Sequence, residues 1–209
     1  MKKILISSLM LLLASASNAA LIQYGSRAAF DAANPTAAVE DFEDVNNIAD
    51  VLAGTGIEAG LSLSLTSGTD AYFATPGQSS NPTNAVGVNT PRTAGWNMDF
   101  SVPVNAVAFD VFQNNGGGSQ FGFDIFATVD VFSGVTLLST FQTTIPSGQA
   151  GFFGVFSNTD LITRVTVNEP DSYDVIDNVA FNKVARVSAP ATLVLLSLGF
   201  IGITFFRKQ

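Results

Sequence analysis

Apolar and polar positions alternate along the middle of the chain. In Phe121-Gly-Phe123-Asp-Ile125-Phe-Ala-Thr-Val129-Asp-Val131 the odd positions are apolar. In Leu61-Ser-Leu63-Ser-Leu65 serines fill the alternate places, and Val107, Phe109 and Val111 repeat the same period. A period of two sends alternate side chains to opposite faces of a strand, so the apolar sets define a core. Ile162, Val165 and Val167 form a rougher strand of the same kind. Gly, Pro, Asn and Ser interrupt these runs about every ten residues, which is the spacing of sandwiches and barrels. The pattern predicts strands near 38–43, 57–65, 69–74, 85–89, 96–101, 104–112, 121–132, 135–143, 150–157, 161–168 and 174–182, two of which can fuse. Their short connections make them mostly antiparallel, in two packed sheets. The fold class is therefore all-β, an antiparallel β-sandwich.

Other local signals are few. A short helix is expected over Ser26 to Ala33, around Arg27-Ala-Ala-Phe30. Asn114-Asn-Gly-Gly-Gly-Ser119 has neither a Lys nor a following helix to make a phosphate cradle, and reads as a hairpin tip. Phe152, Phe153 and Phe156, bracketed by Gly151 and Gly154, cannot all face one way, so at least one is expected to be exposed.

The two ends break the pattern. Lys2 and Lys3 precede an apolar run from Ile4 to Leu13 and the small residues up to Ala20, the order of a secretory signal peptide cleaved after Ala19. At the other end Ala191 to Phe206 carries no charge, and from Val187 the stretch approaches the roughly 20 residues that span a bilayer. Arg207 and Lys208 follow it and would hold that end in the cytoplasm, which leaves the body outside. The chain thus divides into a signal peptide (1–19), a β-sandwich (20–186) and a C-terminal segment with a transmembrane helix (187–209).

The C-terminal segment, Val187-Ser188-Ala189-Pro190-Ala191-Thr192-Leu193, an apolar helix containing glycine, then Arg207-Lys208, resembles the tripartite sorting signal of PEP-CTERM proteins. It keeps Pro190, Ala191, Thr192 and Leu193, and has Ser188 and Ala189 where that family usually has Pro and Glu. The resemblance covers about the last 23 residues. It implies export in a Gram-negative bacterium that makes exopolysaccharide, a precursor anchored in the inner membrane, processing by signal peptidase and an exosortase-type enzyme, and a destination at the cell surface or in the extracellular matrix.

Composition narrows the chemistry. Of 209 residues, 47% are hydrophobic and 12% charged, about half the charge of an average soluble domain. Setting aside Lys2, Lys3, Arg207 and Lys208 leaves five basic against seventeen acidic residues, a net of −12. Such a body repels phosphate backbones, so nucleic acid is not a partner. The absence of His and Cys excludes Ser-His-Asp and Cys-His catalysis, Cys/His zinc sites, His- or Cys-ligated haem, iron–sulfur clusters and disulfides. Carboxylates and carbonyls remain, and these suit hard cations such as calcium.

Two acidic clusters stand out, Glu40-Asp41-Phe42-Glu43-Asp44 and Asp171 through Asp174 to Asp177. An opening Asp-Phe-Glu strand and a closing Ile176-Asp-Asn-Val179-x-Phe181 strand resemble the terminal strands of extracellular jelly-roll domains, including carbohydrate-binding modules and MAM-like adhesion domains. That resemblance implies a jelly-roll-like layout with adjacent terminal strands. It also implies a structural calcium held by Glu43 and Asp177, with help from Asp41 or carbonyls; the alternative is a solvated acidic rim. Elsewhere, Trp96 with Asn97 and Asp99 has the composition of a sugar site, a ring to stack on a pyranose and polar groups for its hydroxyls; a Trp opening a strand is also a usual core residue.

Glu40 and Glu43 point to opposite faces of a strand, which does not suit a glycosidase pair. No catalytic residue is assigned, and the chain is read as a non-enzyme. The first functional reading is a non-catalytic protein of the bacterial surface or exopolysaccharide matrix; the alternative is a carbohydrate-binding module for exopolysaccharide, and a carbohydrate-active enzyme ranks below both. A binding module predicts an exposed aromatic beside polar groups on one sheet face or loop set, a structural protein predicts none, and an enzyme predicts a cleft with a carboxylate pair.

Overall fold

The computed structural model describes residues 21–67, 70–76, 83–88, 94–114, 122–159, 161–169 and 175–183. The signal peptide, the sorting segment with Pro190 to Leu193, Arg207 and Lys208, the glycine-rich tip and Asp171 and Asp174 lie outside these residues. Among the described residues no helix is long and apolar enough to cross a membrane.

Among the described residues eleven strands run in chain order: β1 Leu21–Tyr24, β2 Ala38–Glu40, β3 Leu61–Leu65, β4 Ala71–Ala74, β5 Ala85–Val88, β6 Trp96–Phe112, β7 Ile125–Ser133, β8 Thr136–Ile145, β9 Gly151–Ser157, β10 Ile162–Asn168 and β11 Val175–Lys183. Helices α1 (Arg27–Ala33) and α2 (Ile48–Leu52) precede β2 and β3. All strand pairings are antiparallel.

The 17-residue β6 joins two layers. Its first part, from Trp96 to Phe100, pairs with β3, and most of β10's pairing falls there too; β10 continues to β7 and β8. Its second part, from Ala106 to Val111, pairs with β9, and the β11 pairing covers the same stretch. β11 continues to β5 and β4 at one end and to β2 at the other, while β9 carries β1. Pro103 sits where β6 changes partners, a place that can spare a ladder donor. From β8 to β11 successive strands alternate between the layers, and β2 lies beside β11, which is the jelly-roll-like layout expected.

Alternation fills the space between the layers. Trp96, Met98 and Phe100 from β6, Ile125, Ala127, Val129 and Val131 from β7, and Val165 and Val167 from β10 meet Val107, Phe109, Val111, Phe153, Val155, Ile176, Val179 and Phe181 in one buried cluster. Phe123 departs from expectation: it precedes β7, and its side chain is exposed. Windows 96–101 and 104–112 are one strand, and β1 and α2 carry no comparable pattern.

The outer side of the β9–β6–β11 layer has its own small core. Ala106, Ala108 and Ala180 make a shallow trough, and Phe30 of α1 fills it against Tyr24, Phe152 and Phe156. Ser26 caps α1, accepting from Ala29 N at 3.3 Å, so the helix begins where Phe30 can reach the sheet. Phe153 points into the main core, while Phe152 and Phe156 turn to the trough and are half-buried. Gly154 allows this, because a Cβ there would fall 2.7 Å from the Phe152 ring and 3.2 Å from Phe30.

Candidate functional site

The expected sugar platform at Trp96 does not form. Trp96 is 0% exposed, with its ring in the core between β3 and β10, so no pyranose can stack on it. Strand parity explains the correction: with Trp96 inward, Asn97 and Asp99 face outward with the polar positions of their neighbours.

Those two residues belong to a larger surface. Across the outer face of the β3–β6–β10–β7–β8 layer one row runs Ser64, Asn97, Thr166, Asp130, Thr140, each paired in register with the next. At about 4.8 Å per strand it spans about 19 Å. On either side lie Ser62, Asp99 and Arg164, and Asn168, Thr128 and Gln142. Thr166 Oγ1 donates to Asn97 Oδ1 at 2.8 Å, and Thr140 Oγ1 to Asp130 Oδ1 at 2.5 Å. Arg164 Nε donates to Asp99 Oδ1 at 2.6 Å, pairing the single cation in these rows with one of the two carboxylates. Phe126, on the same face of β7 opposite Thr144, is 52% exposed. The result is a nearly neutral, hydroxyl- and amide-rich sheet with an open aromatic ring on an acidic body.

The predicted metal residues fall near β11 and β2. Asp177 is fully buried; its Oδ1 accepts from Asn178 N at 2.6 Å, and its Oδ2 from Thr83 Oγ1 at 2.8 Å and Asn178 Nδ2 at 3.2 Å. Glu43 accepts from the N of Asn84, the residue after Thr83, at 2.7 Å and from its Nδ2 at 3.1 Å. Thr83-Asn84 thus ties the two carboxylates into one neighbourhood. Asp41 instead accepts from Glu43 N at 3.2 Å, closing its own turn. Among the described residues no group of three or more carboxylates is arranged to hold an ion. Glu40, beside them, is buried and accepts from Phe42 N at 2.7 Å and from Glu58 N; burial raises its carboxyl above the ordinary value of 4.5, with the charges of Asp41 and Glu58 adding to the effect.

A third polar group lies under α1 and has no signal in the sequence. A bulge in β11 gives Asn178 a φ of 50°, and its Nδ2 bridges Asp110 Oδ2 at 2.9 Å and Asp177 Oδ2 at 3.2 Å. Arg27 donates to Asp110 Oδ1 at 3.0 Å and to Asn178 O at 2.8 Å, while its guanidinium lies 5.1 Å from the centre of the Phe152 ring. A groove of about 440 Å³ opens above them. Asp110 and Asp177 are cross-strand partners, but with Asp177 sealed and Asp110 held by Arg27 they do not flank an open cleft.

No protein-family model matches the chain, and no curated protein matches it. Among solved structures, it is similar to the CBM22-1 and GH10 modules of the N-terminal endo-1,4-β-D-xylanase 10B of Clostridium thermocellum, complexed with xylohexaose, at 14% identity and a TM-score of 0.41. That match covers 74% of this chain and 30% of the xylanase chain. It is also similar to the family 11 carbohydrate-binding module of a cellulosomal cellulase of the same organism, at 14% identity and a TM-score of 0.33, covering 71% of this chain and 95% of that one. The family 11 module in complex with a β-1,3-1,4-mixed-linked tetrasaccharide matches at 11% identity and 0.32, over 71% and 98%. Likeness at this level carries no function across.

Proposed function

We propose that this chain is an exported, non-catalytic carbohydrate-binding domain that holds a neutral polysaccharide on the outer face of the β3–β6–β10–β7–β8 layer. The observation that carries the reading is the five-strand row Ser64–Asn97–Thr166–Asp130–Thr140 with the open ring of Phe126 on the same face, four residues along β7 from Asp130 and beyond Thr128. Hydroxyls and amides can exchange hydrogen bonds with sugar hydroxyls at little desolvation cost, and an exposed ring takes the apolar face of a pyranose. Exopolysaccharide at the surface of the producing cell is the ligand class that suits the sorting segment, whose processing by signal peptidase and exosortase belongs to the same proposal. A structural calcium at Glu43 and Asp177, completed by Asp41 or by carboxylates nearer Asp171, is its remaining part; the described donors alone fall short of the six to eight oxygens calcium takes.

Affinity electrophoresis tests the binding reading. Neutral polysaccharides cast into the gel should retard the protein, and Asn97→Ala or Phe126→Ala should release it. Unchanged migration through every polysaccharide would leave only the matrix-protein reading.

A further inference from the structure

Phe126 does not lie in the Ser64–Thr140 row; it is displaced along β7 beyond Thr128, toward the end where β8 meets β9. Its partner on β8 is Thr144, and Gln142, two residues earlier, is the partner of Thr128. Gln142 and Thr144 also line a cleft of about 350 Å³ between β8 and the β1–β9 pair, where Gln23, Tyr24 and Phe152 complete the lining. The walls are fixed. Gln23 pairs with Val155 and Tyr24 with Gly154, which holds β1 on β9. Thr143 Oγ1 donates to Phe152 O at 2.6 Å and ties β8 to β9 beneath the cleft. Gly151 lets the two strands come this close, since a Cβ there would fall 2.7 Å from Thr144 O and 3.1 Å from Ile145 Cα. Gly25, also in the lining, leaves open space: a Cβ there would meet nothing within 4 Å.

We propose that this cleft is a second carbohydrate subsite, which takes sugar units of a neutral polysaccharide as the chain leaves the sheet face over the β8 edge. The inference rests on the reading of that face as a sugar-binding surface. Three features argue for this occupant. No residue of the lining is charged, although the body is strongly acidic. Arg27, which lies over the Phe152 ring, is held by Asp110 and Asn178 and stands outside the lining. Tyr24 and Phe152 are half-buried and give an apolar wall, while Gln23, Gln142 and Thr144 are exposed and offer two amides and a hydroxyl, the mixture a pyranose needs. The volume is at the small end for ligand clefts, which suits about one or two sugar units rather than a long chain. Continuity with the face supplies the rest: Phe126, out of line with the polar row, stands on the path from Thr128 to Thr144. From Asn97 on β6 to the β8 edge is three strand spacings, about 14 Å, so only a chain longer than that engages both places. The cleft thereby makes the protein selective for chain length, because its contacts are added within one bound chain.

Calorimetric titration with size-graded neutral oligosaccharides, cut from a polysaccharide that retards the protein, tests this. Affinity of the parent should step up about tenfold, the worth of one or two net hydrogen bonds, at the length that reaches the cleft. Gly25→Leu fills the cleft without backbone strain, since Gly25 has no positive φ, and Gln23→Ala removes one amide from it. Both variants should bind short oligosaccharides as the parent does and lack the step, whereas Asn97→Ala should weaken binding at every length. A step that persists in both cleft variants, or a parent whose affinity does not change with length, would overturn this inference and leave the face reading intact. A parent that binds no oligosaccharide of any length would overturn both.

Discussion

Phe30→Ala tests how the second core holds α1 to the sandwich. The Phe30 ring is fully buried, 5.5 Å from the Tyr24 ring centre and 6.5 Å from that of Phe152, both edge-on. Returning a buried phenylalanine to water costs about 2–3 kcal/mol, and an unfilled cavity adds to it. The floor of the trough is sheet built from Ala106, Ala108 and Ala180, whose backbones are fixed by pairing with β9 and with one another. It cannot rise to fill the hole, whereas the seven-residue helix can settle somewhat. The expected loss is about 3–4 kcal/mol, within the range for Phe→Ala in cores. For a domain of this size that lowers the melting temperature by about 10 °C. Arg27→Ala is the control: the Arg27–Asp110 pair is partly exposed and should cost about 1 kcal/mol. Thermal unfolding followed by circular dichroism reads both variants. A shift under about 2 °C for Phe30→Ala, or equal losses in the two variants, would refute the argument that apolar burial fixes the helix.

Three further outcomes follow from the site. Glu40 has a folded-state pKa raised above 4.5 by burial, so the folded chain takes up a proton that the unfolded chain still releases; its contribution to stability grows as pH falls through the folded value and levels off below about 4.5. Melts against pH should show that rise in the parent and not in Glu40→Gln, and parallel curves would contradict it. If calcium binds Glu43 and Asp177, adding it after chelation should stabilise the fold by about 2.7 kcal/mol at a hundredfold excess over its dissociation constant, and Asp177→Ala or Glu43→Ala should abolish the gain. An unchanged parent melt would leave these acids as hydrogen-bond acceptors for Thr83 and Asn84. Intact-mass measurement of the protein from its native host should give a chain beginning near Ala20 and ending near Ser188 to Pro190; a secreted species retaining Phe205 would contradict processing.

Strand positions were legible because an interior between two sheets enforces a period of two. Val107, Phe109 and Val111 on β6 and Ile125 to Val131 on β7 carry it without interruption. β1 escaped because four residues, Leu-Ile-Gln-Tyr, are too few to establish a period, and because Ile22 and Gln23 are exposed. At the site, a period of two puts Trp96 on the face opposite Asn97 and Asp99, so the ring and its two polar neighbours cannot share one sugar site. Rows such as Asn97–Thr166–Asp130 join positions more than thirty residues apart, and register across strands is a tertiary property that no local window contains. Asn178 is the clearest case. Its sequence context reads as regular strand, yet one extra residue gives it a left-handed backbone and turns its amide between Asp110 and Asp177.

The central claim is that sugar binds the outer face of the β3–β6–β10–β7–β8 layer. Its most direct test is amide chemical-shift mapping during titration with a neutral oligosaccharide cut from a polysaccharide that retards the protein. The account predicts shifts centred on Asn97, Thr166, Thr128 and Phe126, with little change around Arg27 and Asn178 on the opposite layer. Shifts centred on the Arg27–Asp110 groove, with the Asn97 row silent, would contradict it.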